Sequence, residues 1–314
     1  MQIHAVWLGR IGILAGLFIF LLMGVAPCWG HAPESVTYKA FQFPDGLEPE
    51  VDGAFEDWSI VGRSYRITSG DLHDLVGGSQ PNDEDFYAEL MVGWSRTHNR
   101  LYFAAQVHDD IHQIDRTAGT AATQIFLDDA FQLFIDADHS GGQFANFSEL
   151  SPEEQDNANG TRANHFVLGG PPPDDDFFVL YSTASWYALS DGPYTQAVLM
   201  HEGEIGGISV TRYEVSLVPF DRIDVNAPFQ SVEHSLRENE VIGFNVEFDD
   251  FDRRSNLLDA KWSLSGELNS YRFSERFADL MLMPLEGIFN PTMLEVHSWG
   301  LIKHSLLGED EFLD

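Results

Sequence analysis

Cysteine is nearly missing from these 314 residues: Cys28 stands alone, so no disulfide framework is available to the fold. Basic residues are scarce too, with 17 Lys and Arg against 50 Asp and Glu and a net charge of −33. That imbalance repels nucleic acid and anionic membrane surfaces and excludes both as partners. It favours cations, neutral polar ligands such as sugars, or a saline habitat that screens the repulsion. No convincing long helix can be drawn from the apolar spacing. The apolar run at 11–26 is too short and too close to the start to read as a membrane span. With Arg10 before it and small residues at 26–30, it has the build of an export signal cleaved near Gly30, an uncleaved anchor being the alternative. Cleavage there removes the thiol and leaves no integral membrane span. The expected destination is secreted, periplasmic or cell-surface, and the fold must stand on its own core, with metal as the available help.

What is abundant is short apolar alternation punctuated by turns. Residues 87–94 and 101–107 read as strands joined through turn-forming residues 95–100. Further strands are expected at 165–168, 177–181, 196–200, 208–218, 241–248, 260–264 and 280–283. Such spacing argues for an all-β antiparallel β-sandwich with long loops. Residues 1–30 are the expected signal. Residues 31–50, with Pro33, Pro44 and Pro49, read as an extended lead-in; the domain is expected over 51–284, and 285–314 forms a C-terminal segment of unassigned role. VDGAFEDW at 51–58 combines a turn at Asp52-Gly53 with Phe55 and Trp58, spaced so that one short helical turn buries both. Residues 141–164 look like an insertion, with one ordered piece where Ser151 caps, Pro152 starts the helix and Glu154 closes a capping box.

The chain is organised around 126–142, FLDDAFQLFIDADHSGG. Phe131, Leu133 and Ile135 alternate with Gln132, Phe134 and Asp136, as in a strand with one buried face, and acidic loops close both ends. Asp136, Asp138 and Ser140, running into Gly141 and Gly142, resemble the start of a calcium loop, because Ca²⁺ collects carboxylate and carbonyl oxygens across a tight turn. The distal glutamate of an EF-hand is missing. Ca²⁺ on Asp136, Asp138 and Ser140 with more distant acids is one expectation; a solvated turn is the other. Asp249, Asp250 and Asp252 form a second acidic candidate. HDDIH at 108–112 sets His108 and His112 four apart, but on a strand running into a loop the rings need not converge, so zinc is not expected there. Asp174, Asp175 and Asp176 after three prolines read as a charged loop tip.

Four pieces in order, VDGAFEDW, LYFAAQVHD, DDAFQLFID and VIGFNVEFDDFD, the last followed by KWSL and FADLMLM, resemble carbohydrate-binding module family 9. The resemblance covers most of 51–284. It implies a β-sandwich related to the DOMON group, whose members bind sugars or, in some relatives, haem b, and it implies no catalytic residues. In sugar-binding members two tryptophans clamp the terminal unit of a glycan while acids and amides bond its hydroxyls. The matching positions here are Phe126, three residues before Asp129, and Tyr271 in an Asn-Ser-aromatic pattern with Asn269 and Ser270; Gln132 stands where the family has a sugar-bonding glutamate. Neither aromatic is tryptophan. The blander alternatives are a core Phe126, an ordinary half-buried Tyr271 and a solvent-facing Gln132.

The leading expectation is therefore an exported, non-enzymatic carbohydrate-binding protein that seats a glycan on Phe126 and Tyr271 with Asp129, Gln132 and Asn269 as hydrogen-bond partners. A sugar's C–H face suits an aromatic ring, and amides and carboxylates orient its hydroxyls. The alternatives are a haem-b electron-transfer domain, for which Met91, Met200, Met281, Met283 and several histidines are on hand, and a structural sandwich without ligand. A glycosidase needs two placed carboxylates. Chance pairs abound among 50 acids, and no catalytic pair is assigned.

Overall fold

The computed structural model describes residues 32–33, 36–171, 173, 176–253 and 257–287. The expected export signal, Cys28, Asp174, Asp175 and the tail beyond Gly287 lie outside them. Among the described residues no helix is long and apolar enough to cross a membrane.

The protein is all-β. Along the chain come β1 (Thr37–Gln42), β2 (Arg66–Thr68), β3 (His73–Asp74), β4 (Phe86–Ser95) and β5 (Arg100–Asp109). A short helix α1 (Ala121–Gln124) precedes β6 (Ala130–Asp136), and α2 (Pro152–Ala158) precedes β7 (Asn164–Gly169) and β8 (Phe178–Leu180). Then follow β9 (Thr195–Gly203), β10 (Ser209–Leu217), β11 (Phe220–Arg222), β12 (Val232–Glu233), β13 (Val241–Asp250), β14 (Ala260–Ser263) and β15 (Ala278–Leu282).

Thirteen of these strands form one hydrogen-bonded sheet in the order β8-β7-β6-β13-β15-β1-β4-β5-β10-β9, with β14 and β3 carried on β13 and β2 on β4. Two halves of this sheet turn their apolar faces to each other. Phe103 stacks on Phe244 at 5.9 Å, Phe86 on Trp262 at 5.7 Å, and Phe131 meets Tyr213 at 5.5 Å between ring centroids. The alternation that marks each strand puts these rings on the inner face.

β1 corrects the expected domain boundary. Instead of leading in from outside, it lies mid-sheet: Thr37–Ala40 run parallel to β15, and Phe41 and Gln42 run parallel to β4. Its prolines flank the strand rather than interrupt it, so the backbone N–H groups needed for both ladders are present. By switching partners midway, β1 makes the two halves continuous.

VDGAFEDW forms the expected turn and a single helical turn over 56–60, with Trp58 buried and Phe55 half-buried. Gly53 sits at φ +81°, a left-handed conformation that favours glycine. Trp58, Phe41, Phe43, Tyr65 and Tyr102 make a second apolar cluster on the outer side of the β4–β5 half, with edge-on ring contacts near 5.3–5.6 Å.

The capping box at α2 is present, Glu154 accepting from the Ser151 amide at 2.9 Å. This insertion has a packing role. All seven residues of β6 are buried, because Phe144, Ala145 and Ala163 from the insertion close over Phe134 together with Phe277. The second face of the central strand is thus covered at Phe134 and reaches the surface side only at Gln132.

Candidate functional site

On the outer face of β7, β6, β13 and β14 the register aligns five polar side chains. β6 pairs Gln132 with Val167 and Glu247, and β13 pairs Asp249 with Ala130 and Lys261. His165 Nε2 lies 2.7 Å from Gln132 Oε1, and the Gln132 amide donates to Asp249 Oδ2. Lys261 Nζ then bridges Asp249 Oδ1 at 2.5 Å and Glu247 Oε2 at 3.1 Å. The carboxylate fixes the Gln132 amide orientation, so Oε1 faces His165 and the imidazole must donate from Nε2. Burial holds His165 well below the usual histidine range, the Lys261 charge adding to the effect; it is a neutral ring. Burial also works against the Lys261 charge, but Asp249 and Glu247 more than offset it and raise its pKa.

This floor underlies a cleft of about 770 Å³. Phe126 stands on one wall, in the turn between α1 and β6, and Tyr271 lines the same cleft from the loop between β14 and β15. Both rings are left open, at 39% and 44% exposure. Tyr181, just past β8, meets Phe126 at 6.2 Å and His165 at 4.9 Å between centroids; His165 in turn stacks on Phe134 at 4.1 Å. The Tyr181 hydroxyl is buried without a hydrogen-bond partner.

The structure gathers Phe126, Gln132 and Tyr271 in one cleft and places Asp129 and Asn269 elsewhere. Asp129 is buried, and its two carboxylate oxygens accept from the backbone amides of Gln113 and Phe251. Asp128 binds the Arg116 guanidinium at 2.6 Å and the Asp115 amide at 2.9 Å. The paired acids before the central strand are anchors: they tie flanking loops to its start and so fix the turn that carries Phe126. Asn269 is exposed at φ +67°, its carbonyl accepting from the Arg272 amide at 3.0 Å. It shapes the turn that presents Tyr271.

The expected calcium ligands Asp136, Asp138 and Ser140 share one tight turn after β6. Asp136 Oδ2 accepts from the Gly141 amide at 2.8 Å, and Asp138 Oδ1 from the Ser140 amide at 3.2 Å. Burial, with Asp138 adjoining, pushes the Asp136 carboxyl up to about 6. The acids of 249–252 divide by strand alternation. Asp249 faces the cleft floor, whereas Asp250 and Asp252 converge with Asp109 so that one oxygen of each lies within 4.8 Å of the others. The haem reading finds no ligand pair in the cleft. Met91 belongs to the cluster around Trp58 and Met200 is 48% exposed on β9, while His165 is the imidazole at the cleft and no methionine lines it among the described residues.

Sequence reasoning missed His165, Tyr181, Asp249 and Lys261 as parts of one site. Lys261 opens the KWSL piece and is the one cation in the strand that pairs with β13's acids, a signal visible only with the pairing in hand.

Because His165 is held neutral, the folded protein binds fewer protons than the unfolded chain below the ordinary histidine pKa. Its contribution is fully present above about pH 6.5 and is lost as pH falls, by up to about 1.4 kcal/mol per pH unit. Urea unfolding at about pH 7 and about pH 5 is expected to show a smaller loss in His165→Gln than in the parent; equal losses would show the ring is not the source.

No protein-family model matches the chain, and no curated protein matches it. Among solved structures, it is similar to a carbohydrate binding module family 9 (CBM9) from Caldicellulosiruptor kristjanssonii in complex with cellotriose, at 12% identity and a TM-score of 0.49, covering 80% of this chain and 95% of that one. A carbohydrate binding module family 9 from the same organism in complex with glucose gives 13% identity and a TM-score of 0.48, over 80% and 97% of the two chains. A putative carbohydrate-binding protein from Bacteroides uniformis is similar at 13% identity and a TM-score of 0.39, over 78% of this chain and 98% of that one.

Proposed function

We propose that this is an exported, non-catalytic carbohydrate-binding protein, a doubled sheet of the sandwich type whose cleft seats the end of a neutral glycan. The observation that carries the reading is the pairing of two open aromatic rings, Phe126 and Tyr271, with a continuous polar floor of His165, Gln132, Asp249 and Lys261 in one cleft. Rings accept the C–H face of a sugar, and the floor offers amide, carboxylate and ammonium groups to its hydroxyls. Tyr181 adds a hydroxyl with unspent bonding capacity beside them. Among the described residues Asp249 is the one carboxylate that lines the cleft, and it is tied to Lys261, an arrangement suited to orientation rather than to paired acid–base hydrolysis.

Isothermal titration against a panel of neutral mono- and oligosaccharides tests the reading. Phe126→Ala and Tyr271→Ala are each expected to weaken the best ligand about tenfold, or about 1.4 kcal/mol, with unfolding midpoints little changed since both rings are substantially exposed. No saccharide bound at millimolar concentration removes the proposal; undiminished affinity in both variants removes the aromatic platform.

A further inference from the structure

On the inner side of the sheet, the end of β5 and the start of β6 bring together three side chains, Asp129 joining two that lie three residues apart. Asp109, His112 and Asp129 are all buried, at 5%, 2% and 4% exposure. His112 Nδ1 lies 3.2 Å from Asp129 Oδ2 and 3.7 Å from Asp109 Oδ2. The far nitrogen of the same ring, Nε2, lies 2.6 Å from the Gly170 carbonyl oxygen. A carbonyl accepts only, so Nε2 carries a hydrogen and Nδ1 is the nitrogen turned toward the two acids. His108, its partner in the HDDIH motif, takes no part: its ring bonds the Gln106 amide at 2.9 Å and leans on Tyr87.

We propose that Asp109, His112 and Asp129 form a buried site for one divalent transition-metal ion of the Zn²⁺ type, a role separate from the glycan cleft. Two ligands of such an ion, each about 2.1 Å from it at a tetrahedral angle, stand about 3.4 Å apart, and the N···O separations of 3.2 and 3.7 Å bracket that value. A small cavity of about 10 Å³ is lined by all three residues and by Thr211, Phe86, Tyr213, Phe248 and Asp249; it has room for a single atom. The hydrogen bond from a metal-binding histidine's other nitrogen to a backbone carbonyl is the outer-shell contact that orients such rings.

Charge points the same way. Two buried carboxylates face the His112 imidazole; Arg116 is spent on Asp128 and Lys261 on Asp249 and Glu247, while the His201 ring lies 4.6 Å from that of His112 and bonds the Thr211 hydroxyl. Asp250 and Asp252, which converge on Asp109, deepen the negative potential. A divalent ion with a neutral imidazole neutralises the triad, whereas a single proton on the imidazole leaves it one charge short. Mixed imidazole and carboxylate donors suit first-row transition ions better than Ca²⁺.

The test uses the full chain, freed of metal by chelator dialysis and titrated with Co²⁺. The expected result is one equivalent giving the intense visible bands of low-coordinate Co²⁺, displaced by Zn²⁺, with Zn²⁺ raising the unfolding midpoint. His112→Gln and Asp109→Asn are each expected to abolish the bands, and Asp138→Asn to leave them unchanged. Only the weak bands of hydrated Co²⁺ on surface acids, or intense bands that persist in both site variants, overturn the proposal. Should the site variants fail to fold, the parent's Co²⁺ spectrum decides on its own.

Discussion

Lys261→Met is expected to destabilise the protein by about 3 kcal/mol or more, because it strands two buried acids at once. Glu247 and Asp249 are 3% and 4% exposed, and the Lys261 ammonium lies within 3.1 Å of both. Burial pushes the Glu247 carboxyl up, and Lys261 draws it back more than any other group, with Ser270 adding to the effect. Without the ammonium, the two acids repel each other at low dielectric and one must take up a proton. The Gln132 amide softens the loss at Asp249 but cannot supply charge. Removing the whole charged set is far cheaper than breaking it, so Lys261→Met combined with Glu247→Gln and Asp249→Asn is expected to recover much of the stability. Denaturant midpoints at neutral pH measure both. A single-variant loss below about 1 kcal/mol would mean that water entering from the cleft already screens the set, as at an exposed ion pair.

Glu214→Ala is expected to cost about 3–5 kcal/mol and to loosen the VDGAFEDW turn. This fully buried carboxylate on β10 accepts from the Asp52 amide at 3.0 Å, the Gly53 amide at 2.9 Å and the Trp58 indole at 2.8 Å. Truncation leaves three donors without partners where water does not readily reach, at about 1–3 kcal/mol for each buried one. Glu214→Gln keeps an acceptor but turns an NH₂ toward the remaining donors, so its loss is expected to be intermediate. Denaturant unfolding gives the magnitude, and the emission maximum of Trp58, read against a Trp58→Phe control, reports whether the indole gains water. A fully stable Glu214→Ala would show that the turn holds itself.

Local features of the sequence translated directly into structure. The hairpin of β4 and β5 follows from two alternating runs around turn residues 95–100, and the α2 cap follows from Ser151, Pro152 and Glu154. Each depends on residues within a few positions of one another. β1 escaped because six residues between prolines carry too little periodicity to separate a mid-sheet strand from a lead-in. Asp129 was read as a sugar-bonding group, since a sequence shows a carboxylate beside a strand but not the amides of Gln113 and Phe251 that hold it out of the cleft. Phe126, Gln132 and Tyr271 entered through a resemblance, and nothing in their spacing required that they share a cleft.

Alternation, turn chemistry and charge, which the chain carries by itself, determined that this is an all-β protein with an acidic surface and a central strand of two unlike faces. Tertiary structure alone decided which polar groups meet: Glu214 with Asp52 and Gly53, Lys261 with Glu247 and Asp249, His112 with Asp129. The physical reason is strand register. A strand's period of two settles which face a side chain takes, but its cross-strand neighbour comes from a segment whose alignment is set by the packing of the entire sheet.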